Sequence, residues 1–143
     1  MKQLDGRVVL VVEDDLLIAQ TLCRALTEAG ATILGPAPTV DTGLALVREA
    51  AVIHAAVLDV NLGAELVYPV ADALIAREVP FVLATGFSVF EMPIAYWPLP
   101  REDKPYCANT LARRLAAICA VSDETTLPPF LASATLHAGN ATL

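Results

Sequence analysis

Four polar positions in this sequence follow apolar runs and carry residue types suited to phosphoryl chemistry. The acidic cluster Glu13-Asp14-Asp15 follows the first run, Asp59 follows residues 55–58, Thr85 ends a later run, and Lys104 comes after the last one. If these runs are the strands of a parallel sheet, their carboxyl ends meet at one edge and bring the side chains together. Carboxylates beside one hydroxyl and one ammonium group predict a site where a carboxylate accepts a phosphoryl group.

Asp59 and the Glu13-Asp14 pair would place three carboxylates close together. At a separation of about 5 Å and an effective dielectric constant of about 20, each pair repels by about 3 kcal/mol. A cation or a raised pKa relieves such repulsion. Mg²⁺ prefers hard oxygen ligands and bridges protein carboxylates to phosphoryl oxygens, so the sequence predicts a Mg²⁺ site.

The apolar runs predict buried strands that alternate with amphipathic helices. The runs are uninterrupted and rich in β-branched residues, which is typical of parallel strands buried on both faces. The segment 87–100 contains three prolines and leaves room for a short helix at most. We expect strands at residues 8–12, 31–34, 55–58 and 81–84, and a short edge strand around residues 96–99.

Local signals set the expected helix boundaries. Asp15 is placed to cap the first helix, which Gly30 ends. Thr39 is placed to cap a second helix, and Pro69 fits only the first turn of a third. A last helix is expected from about residue 107 to residue 120.

The pattern predicts an α/β fold in which five strands alternate with about five helices. Right-handed crossovers make this a three-layer sandwich around a doubly wound parallel sheet. The 143 residues suit one domain, and 56% of them are hydrophobic, as a sheet buried on both faces requires. No apolar stretch approaches the roughly 20 residues of a membrane span, and the N-terminus lacks the apolar region of a signal peptide, so we expect a cytoplasmic protein.

Charge and cysteine usage argue against several other functions. The net charge of −7 disfavours a nucleic-acid partner, because phosphate contacts need clustered Lys and Arg. Cys23, Cys107 and Cys119 are odd in number and widely spaced in apolar helical patterns, so we expect packing rather than metal or redox roles. Tyr96 and Trp97 are expected to pack on the short edge strand.

The ordered set of motifs resembles the receiver domains of two-component response regulators over roughly residues 6–120. The motifs are Val11-Val12-Glu13-Asp14-Asp15, Val57-Leu58-Asp59-Val60-Asn61-Leu62, Ala84-Thr85-Gly86 and Lys104-Pro105. The resemblance implies a flavodoxin-like sheet in the strand order 2-1-3-4-5. It implies the phosphoacceptor Asp59, with Thr85 and Lys104 meeting the phosphoryl oxygens, and a Mg²⁺ site made of Glu13, Asp14, Asp59 and the backbone carbonyl of Asn61.

One position departs from the family pattern. Receivers carry an aromatic residue three positions before the lysine, where it turns inward with the threonine, and here that position is Arg101. With the shortened fourth helix and the run Leu83-Ala84-Thr85-Gly86-Phe87, the chain resembles a receiver subgroup that carries a Phe-Ala-Thr-Gly type motif and is often found as single-domain regulators. We therefore expect phosphorylation to order the segment 87–102 instead of turning an aromatic ring.

The expected organisation is a receiver domain at residues 1–120 and a C-terminal tail at residues 121–143. The tail is either flexible or docks through Phe130, Leu131 and Leu136 on the body or on a second subunit. The resemblance implies a single-domain response regulator and not an enzyme. Its phosphodonor would be a sensor histidine kinase or a histidine phosphotransfer protein, and it would signal through protein contacts or act as a relay or sink. The sequence is compatible with a monomer or with a homodimer.

Two other classes compete with this interpretation. A pseudo-receiver would bind a partner without phosphorylation, which Arg101 and the shortened loop favour and the complete set of site residues opposes. A metal-dependent phosphatase that forms an aspartyl phosphate would share the Asp59 chemistry. Such an enzyme would be expected to carry a general-acid carboxylate near Asp59, whereas position 61 is Asn.

Overall fold

The structure is a computed structural model that describes residues 1–124. A sheet of five parallel strands carries helices on both faces. The strands are β1 Val8–Val12, β2 Thr32–Ala37, β3 Ala55–Asp59, β4 Phe81–Thr85 and β5 Arg101–Asp103. The helices are α1 Leu16–Glu28, α2 Val40–Glu49, α3 Tyr68–Ala76 and α4 Ala108–Glu124.

The strand order is β2-β1-β3-β4-β5, which confirms the predicted doubly wound sheet. The order reverses direction at β1 and β3, because the chain first adds β2 on one side of β1 and then builds β3, β4 and β5 on the other. Ligands of such sheets bind beyond the carboxyl ends of the strands at this switch point. Glu13 follows β1, and Asp59 ends β3, so both lie there.

Two apolar clusters cover the two faces of the sheet, which explains why β1 and residues 55–58 and 81–84 of β3 and β4 are apolar at every position. On one face, alternate strand residues such as Leu10 and Leu58 pack with Val47 of α2 and Leu74 of α3. On the other face, the intervening strand residues pack with α1 and α4; this cluster includes Val9, Val11, Val57, Leu22, Leu26, Leu111 and Leu115. A side-chain period of two therefore sends neighbouring residues of a strand into different clusters.

The predicted helix starts are confirmed. The Asp15 carboxylate accepts hydrogen bonds from the backbone N–H groups of Leu17 at 3.0 Å and Ile18 at 3.1 Å. Thr39 caps α2, where the Thr42 N–H donates to its hydroxyl oxygen at 3.1 Å. Each cap satisfies N–H groups that the first turn of a helix leaves without a partner.

The second strand is longer than predicted. It continues through Gly35 and Pro36 to Ala37 instead of ending at residue 34, and its pairing with β1 shifts register between Leu10 and Val12. Proline lacks the N–H group that a central strand needs, but β2 lies at the edge of the sheet, where one side of the strand needs no partner. Gly35 has φ +99°, and an added Cβ would lie 2.7 Å from the Val11 carbonyl oxygen, so this irregularity requires glycine.

The prediction of an edge strand around residues 96–99 is wrong. The edge strand is β5, Arg101–Asp103, while the preceding segment forms two 3₁₀ turns at Val89–Glu91 and Ile94–Tyr96. Consequently residues 1–124 contain four α-helices instead of about five. The last helix also runs past residue 120, and the Asp123 carboxylate in its final turn pairs with Arg7.

Within residues 1–124, no helix is both long and apolar enough to cross a membrane. The division at residue 120 between a receiver domain and a tail stays a prediction. The predicted docking residues Phe130, Leu131 and Leu136 lie outside the described residues, as does most of that tail.

Candidate functional site

Three polar or charged residues are buried among residues 1–123, and all three were predicted from the sequence to belong to one site. They are Glu13 at 4% exposure, Asp59 at 3% and Thr85 at 2%. Glu13 follows β1, Asp59 is the last residue of β3, and Thr85 is the last residue of β4. Buried charges are costly unless they are paired or bind an ion, so their concentration at one edge of the sheet indicates a functional site.

The predicted acidic cluster is assembled in the structure. Carboxylate oxygens of Glu13, Asp14 and Asp59 all lie within 4.8 Å of one another. Asp14 is exposed to solvent, whereas Glu13 and Asp59 are buried. Carboxylates supply the hard oxygen atoms that Mg²⁺ prefers.

The pKa of Glu13 shows the effect of crowding the carboxylates of this cluster together. The pKa of Glu13 is raised to about 8, first by burial and then by the neighbouring Asp59 carboxylate through hydrogen bonding and charge repulsion. The Asp15 N–H, which donates to the Glu13 carboxylate at 3.2 Å, and the charge of Lys104 act in the opposite direction. The raising effects prevail, so one lysine does not balance the carboxylates, and a divalent cation would complete the site.

Lys104 lies directly against the predicted phosphoacceptor. Its Nζ donates a hydrogen bond to Asp59 Oδ1 at 2.8 Å, and its side chain is 27% exposed. Its backbone N–H donates to the Thr85 carbonyl oxygen at 2.9 Å, which anchors the lysine to the end of β4. The Lys104–Pro105 peptide bond is cis. At this distance the ammonium group forms a charge-assisted hydrogen bond with the Asp59 carboxylate.

Thr85 and Gly86 lie at the end of β4, the strand next to β3. The Thr85 hydroxyl oxygen accepts a hydrogen bond from the Phe87 N–H at 2.8 Å, which directs the side chain toward the following loop. The hydroxyl proton is not used in that bond and is available to an acceptor. A Cβ added at Gly86 would meet nothing within 4 Å, so the space beside Thr85 is open.

The segment after Asp59 is a short hairpin, which the sequence analysis did not predict. Asn61–Leu62 pairs with Glu65–Leu66, and the Asn61 N–H donates to Asp59 Oδ1 at 3.2 Å. A Cβ added at Gly63, which has φ +78°, would lie 3.6 Å from Asp14 Oδ2, so the hairpin turn stands beside the acidic cluster. The signal was present: Gly63 lies in a two-residue turn between two residue pairs that each contain a leucine.

The hairpin also connects the site to α2. The Glu65 carboxylate accepts a hydrogen bond from the Val40 N–H at 3.0 Å, at the first residue of that helix. A carboxylate at a helix N-terminus is favoured by the helix dipole as well as by the hydrogen bond. The sequence analysis did not identify this contact, because it joins residues 25 positions apart.

Arg101 occupies the position where the family pattern has an aromatic residue. Its Nε lies 3.3 Å from an Asp103 carboxylate oxygen, and its carbonyl oxygen accepts a hydrogen bond from Arg114. Its Nη1 is buried and has no hydrogen-bond partner within the described part of the chain. The guanidinium group is therefore held at the edge strand without full satisfaction of its donors.

Tyr96 and Trp97 pack as expected, although not on a strand. The Tyr96 ring stacks on the Tyr68 ring with centroids 4.2 Å apart, and its hydroxyl donates to Asp72 at 2.8 Å. The Trp97 indole N–H donates to the Met92 carbonyl oxygen at 2.8 Å. The Tyr96 contacts attach the segment between β4 and β5 to α3, whereas the Trp97 bond lies within that segment.

Comparison with known proteins gives the family. No protein-family model and no curated protein matches the sequence. The solution structure of the BeF3-activated conformation of SdrG from Pseudomonas melonis Fr1 is 42% identical over 78% of this chain and 95% of that chain, with a TM-score of 0.65.

Two more distant structures share the fold. A CheY-like response regulator receiver domain protein from Methanospirillum hungatei JF-1 is 19% identical, with a TM-score of 0.71 over 82% of this chain and 97% of that chain. The response regulator TrrA from Thermotoga maritima, in complex with Mg(2+)-BeF, is 18% identical over 78% of this chain and 97% of that chain, with a TM-score of 0.66. Together with the SdrG match, these findings show that the chain belongs to the CheY-like response regulator receiver domains.

Proposed function

We propose that this chain is a single-domain response regulator that accepts a phosphoryl group on Asp59. The observation that carries the proposal is the 2.8 Å contact between Lys104 Nζ and a buried Asp59 carboxylate, within a cluster of three acids at the sheet switch point. In a structural ion pair inside a protein, each buried charge normally has a partner of opposite charge. This one is surrounded by excess negative charge, which favours a role with a cation and an incoming phosphoryl group.

Mg²⁺ fits the residues that are present. Its ligands would be carboxylate oxygens of Glu13, Asp14 and Asp59, with the backbone carbonyl of Asn61 as a further ligand. The raised pKa of Glu13 supports this assignment, because a carboxyl that burial and neighbouring negative charge destabilise gains from a nearby cation. When bound, Mg²⁺ would supply charge neutralisation for the transferring phosphoryl group.

The chain's own residues would perform the transfer by positioning. A carboxylate oxygen of Asp59 forms the new bond to phosphorus while the phosphorus–nitrogen bond of a phosphohistidine breaks, and the imidazole leaves with the electron pair. The Lys104 ammonium group moves from the carboxylate to a phosphoryl oxygen. The Thr85 hydroxyl donates to another phosphoryl oxygen, and the open space beside Gly86 admits the group. This is the chemistry of a signalling phosphoacceptor that assists its own phosphorylation.

The donor in this proposal is a sensor histidine kinase or a histidine phosphotransfer protein, and the protein is cytoplasmic. Output goes through protein contacts to a downstream protein, or the chain serves as a relay or sink. Membership of the subgroup with the Phe-Ala-Thr-Gly type motif belongs to the proposal, supported by Leu83-Ala84-Thr85-Gly86 and by the 3₁₀ turns that replace a full helix. Phosphorylation is then expected to order the segment 87–102. The proposal is compatible with a monomer or with a homodimer.

The pseudo-receiver remains the second candidate, favoured by Arg101 and its unpaired Nη1. The test is incubation with acetyl phosphate in the presence of Mg²⁺ or of EDTA, followed by intact mass measurement. We expect the wild type to gain one phosphoryl group from acetyl phosphate when Mg²⁺ is present and none in EDTA. Asp59→Asn should gain none in either condition. Asp41→Asn, which changes an exposed acid in the first turn of α2, is the matched control and should behave as the wild type. Failure of both acetyl phosphate and a phosphorylated kinase to modify the wild type would favour the pseudo-receiver.

A further inference from the structure

Arg101 begins the edge strand β5, and its side chain projects to the face of the sheet that carries α2 and α3. It pairs with Leu83 of β4, which belongs to the apolar cluster on that face. Side chains paired across neighbouring strands share a face, and successive residues of a strand alternate between faces. Asp103 accordingly shares the face of Arg101, and one of its carboxylate oxygens lies 3.3 Å from Arg101 Nε. Glu102 points to the opposite face, where Arg114 of α4 binds it at 3.0 Å.

The nitrogen atoms of the Arg101 guanidinium group differ in their partners. Nε faces the Asp103 carboxylate, which is mostly exposed to solvent. Nη1 is buried and has no hydrogen-bond partner among residues 1–124. A buried donor without an acceptor costs free energy, because burial removes its hydrogen bonds to water. A rearrangement that brings an acceptor to Nη1 is therefore favoured.

The connecting segment, residues 86–100, joins β4 to β5 and covers the same face of the sheet. Met92 and Leu99 are buried in the cluster on that face, and Phe87 and Tyr96 pack against it. Arg101 projects to this face from the strand that follows the segment. Backbone carbonyl groups of the connecting segment are therefore candidate acceptors for Nη1.

Thr85 links the start of the connecting segment to the candidate site. Its hydroxyl oxygen accepts a hydrogen bond from the Phe87 N–H at 2.8 Å. A Cβ added at Gly86 would meet nothing within 4 Å, so the backbone between these two residues has room to move. A displacement of the Thr85 side chain toward a phosphoryl group on Asp59 would pull Phe87 in the same direction.

Arg101 lies close enough to Thr85 to respond to this displacement. Its partner Leu83 precedes Thr85 by two residues in β4, which is about 7 Å along the strand, and neighbouring strands lie about 4.8 Å apart. The long arginine side chain and the backbone of the loop together span a separation of this size.

We propose that Arg101 is a positioning residue that fixes the connecting segment once Asp59 carries a phosphoryl group. The displacement of Thr85 and Phe87 brings a backbone carbonyl oxygen of residues 86–87 to Arg101 Nη1. The new hydrogen bond then holds the segment in its displaced position, whereas the unphosphorylated protein lacks this attachment. The inference rests on the proposed function, because the displacement requires a phosphoryl group on Asp59.

The experiment measures two quantities in the same sample. Intact mass gives the fraction of protein that has gained a phosphoryl group, and NMR gives the amide hydrogen exchange of residues 86–100. After treatment with acetyl phosphate and Mg²⁺, exchange in this segment of the wild type should slow by about 10-fold, the effect of one net hydrogen bond. Arg101→Lys keeps the charge but removes the Nη1 donor, so it should gain the phosphoryl group without slower exchange. Arg113→Lys, at an exposed position of α4, is the matched control and should respond as the wild type does.

Thermal unfolding of the unphosphorylated protein tests the unpaired donor directly. Arg101→Met should not lower the Tm, because it removes a buried donor that has no acceptor and an exposed ion pair of little value. A lowered Tm would show that the guanidinium group already stabilises the unphosphorylated fold, contrary to the inference.

The two readouts separate failure of this inference from failure of the proposed function. If the wild type gains the phosphoryl group but exchange in residues 86–100 does not slow, the inference is wrong and the proposed function stands. The same conclusion follows if Arg101→Lys slows as much as the wild type. If neither acetyl phosphate nor a phosphorylated kinase modifies the wild type, the proposed function fails and the inference fails with it.

Discussion

The two ends of the sheet handle charge in opposite ways. At the amino end, Arg7 pairs with Asp123, and His54 Nδ1 accepts a hydrogen bond from the Val8 N–H at 2.9 Å. Arg77 donates to backbone carbonyls that include those of Ala50 and Ala51. Arg7 is paired with an opposite charge, and His54 and Arg77 hydrogen-bond to the backbone. These contacts connect elements of the fold to one another.

At the carboxyl end, three carboxylates face one lysine. Glu13, Asp14 and Asp59 cluster within 4.8 Å, and Lys104 contacts Asp59. The imbalance is visible in the pKa of Glu13, which is raised to about 8. Both ends of the sheet carry charged residues, so charge by itself does not distinguish a functional edge from a structural one. Negative charge without a compensating positive charge does.

The largest expected effect comes from removing the positive charge that contacts Asp59. Lys104→Met should lower the rate of Asp59 phosphorylation by acetyl phosphate by about 100-fold, the usual cost of losing one group that stabilises transition-state charge. The rate is measured by intact mass against time in saturating Mg²⁺. Lys2→Met is the matched control, because Lys2 is the other lysine of the chain. An undiminished rate in Lys104→Met would mean that the 2.8 Å contact is structural, like the pairs of the amino end.

The next effect tests whether a cation supplies the missing compensation. At a Mg²⁺ concentration about 100 times the dissociation constant, binding should stabilise the wild type by about 2.7 kcal/mol and raise its Tm by several degrees. Glu13→Gln removes one ligand charge and should lose most of this gain. In EDTA the same variant should be at least as stable as the wild type, because the amide keeps the shape and removes one of the repelling charges.

Thermal unfolding with and without Mg²⁺ measures both effects. Glu28→Gln, at an exposed position near the end of α1, is the control and should keep the full response to Mg²⁺. If Glu13→Gln destabilised the metal-free protein and kept the Mg²⁺ response, Glu13 would be a structural acid and not part of a cation site.

The site was predictable from the sequence because of a simple geometric rule. Parallel strands bring their carboxyl ends to one edge, so Glu13, Asp59 and Thr85 had to converge once the apolar runs around them were recognised as strands. The helix caps at Asp15 and Thr39 were equally local, since each requires information from only three or four residues. These elements are set by short-range signals and by one periodic pattern.

The predictions that failed concern strand boundaries that depend on long-range contacts. Strand β5 consists of Arg101, Glu102 and Asp103, which carry no apolar alternation, and it forms because its backbone pairs with Leu83–Thr85 of β4. Strand β2 passes through Pro36 because it lies at the sheet edge, a fact that the local sequence does not contain. In each case a long-range pairing decides the structure, and local propensity predicts the wrong boundary.

The smallest expected effect belongs to the amino end. The Arg7 hydrogen bond lowers the pKa of Asp123, so the ionised form of Asp123 is favoured in the folded protein. A lowered folded-state pKa contributes stability above the unfolded value of about 3.9, and this contribution is lost as the pH falls through the folded pKa. Asp123→Asn should therefore lower the Tm slightly at pH 7, and its difference from the wild type should vanish in acid.

A double-mutant cycle separates this pair from its surroundings. Arg7→Gln and Asp123→Asn should each lower the Tm at pH 7, whereas combining them should add little, because either change alone already breaks the same contact. None of these variants should alter the response to Mg²⁺ or the rate of Asp59 phosphorylation, since the pair lies at the end of the sheet remote from the acidic cluster. A change in either response would mean that the two ends of the sheet are coupled through α4. The two ends could then no longer be treated as independent sites.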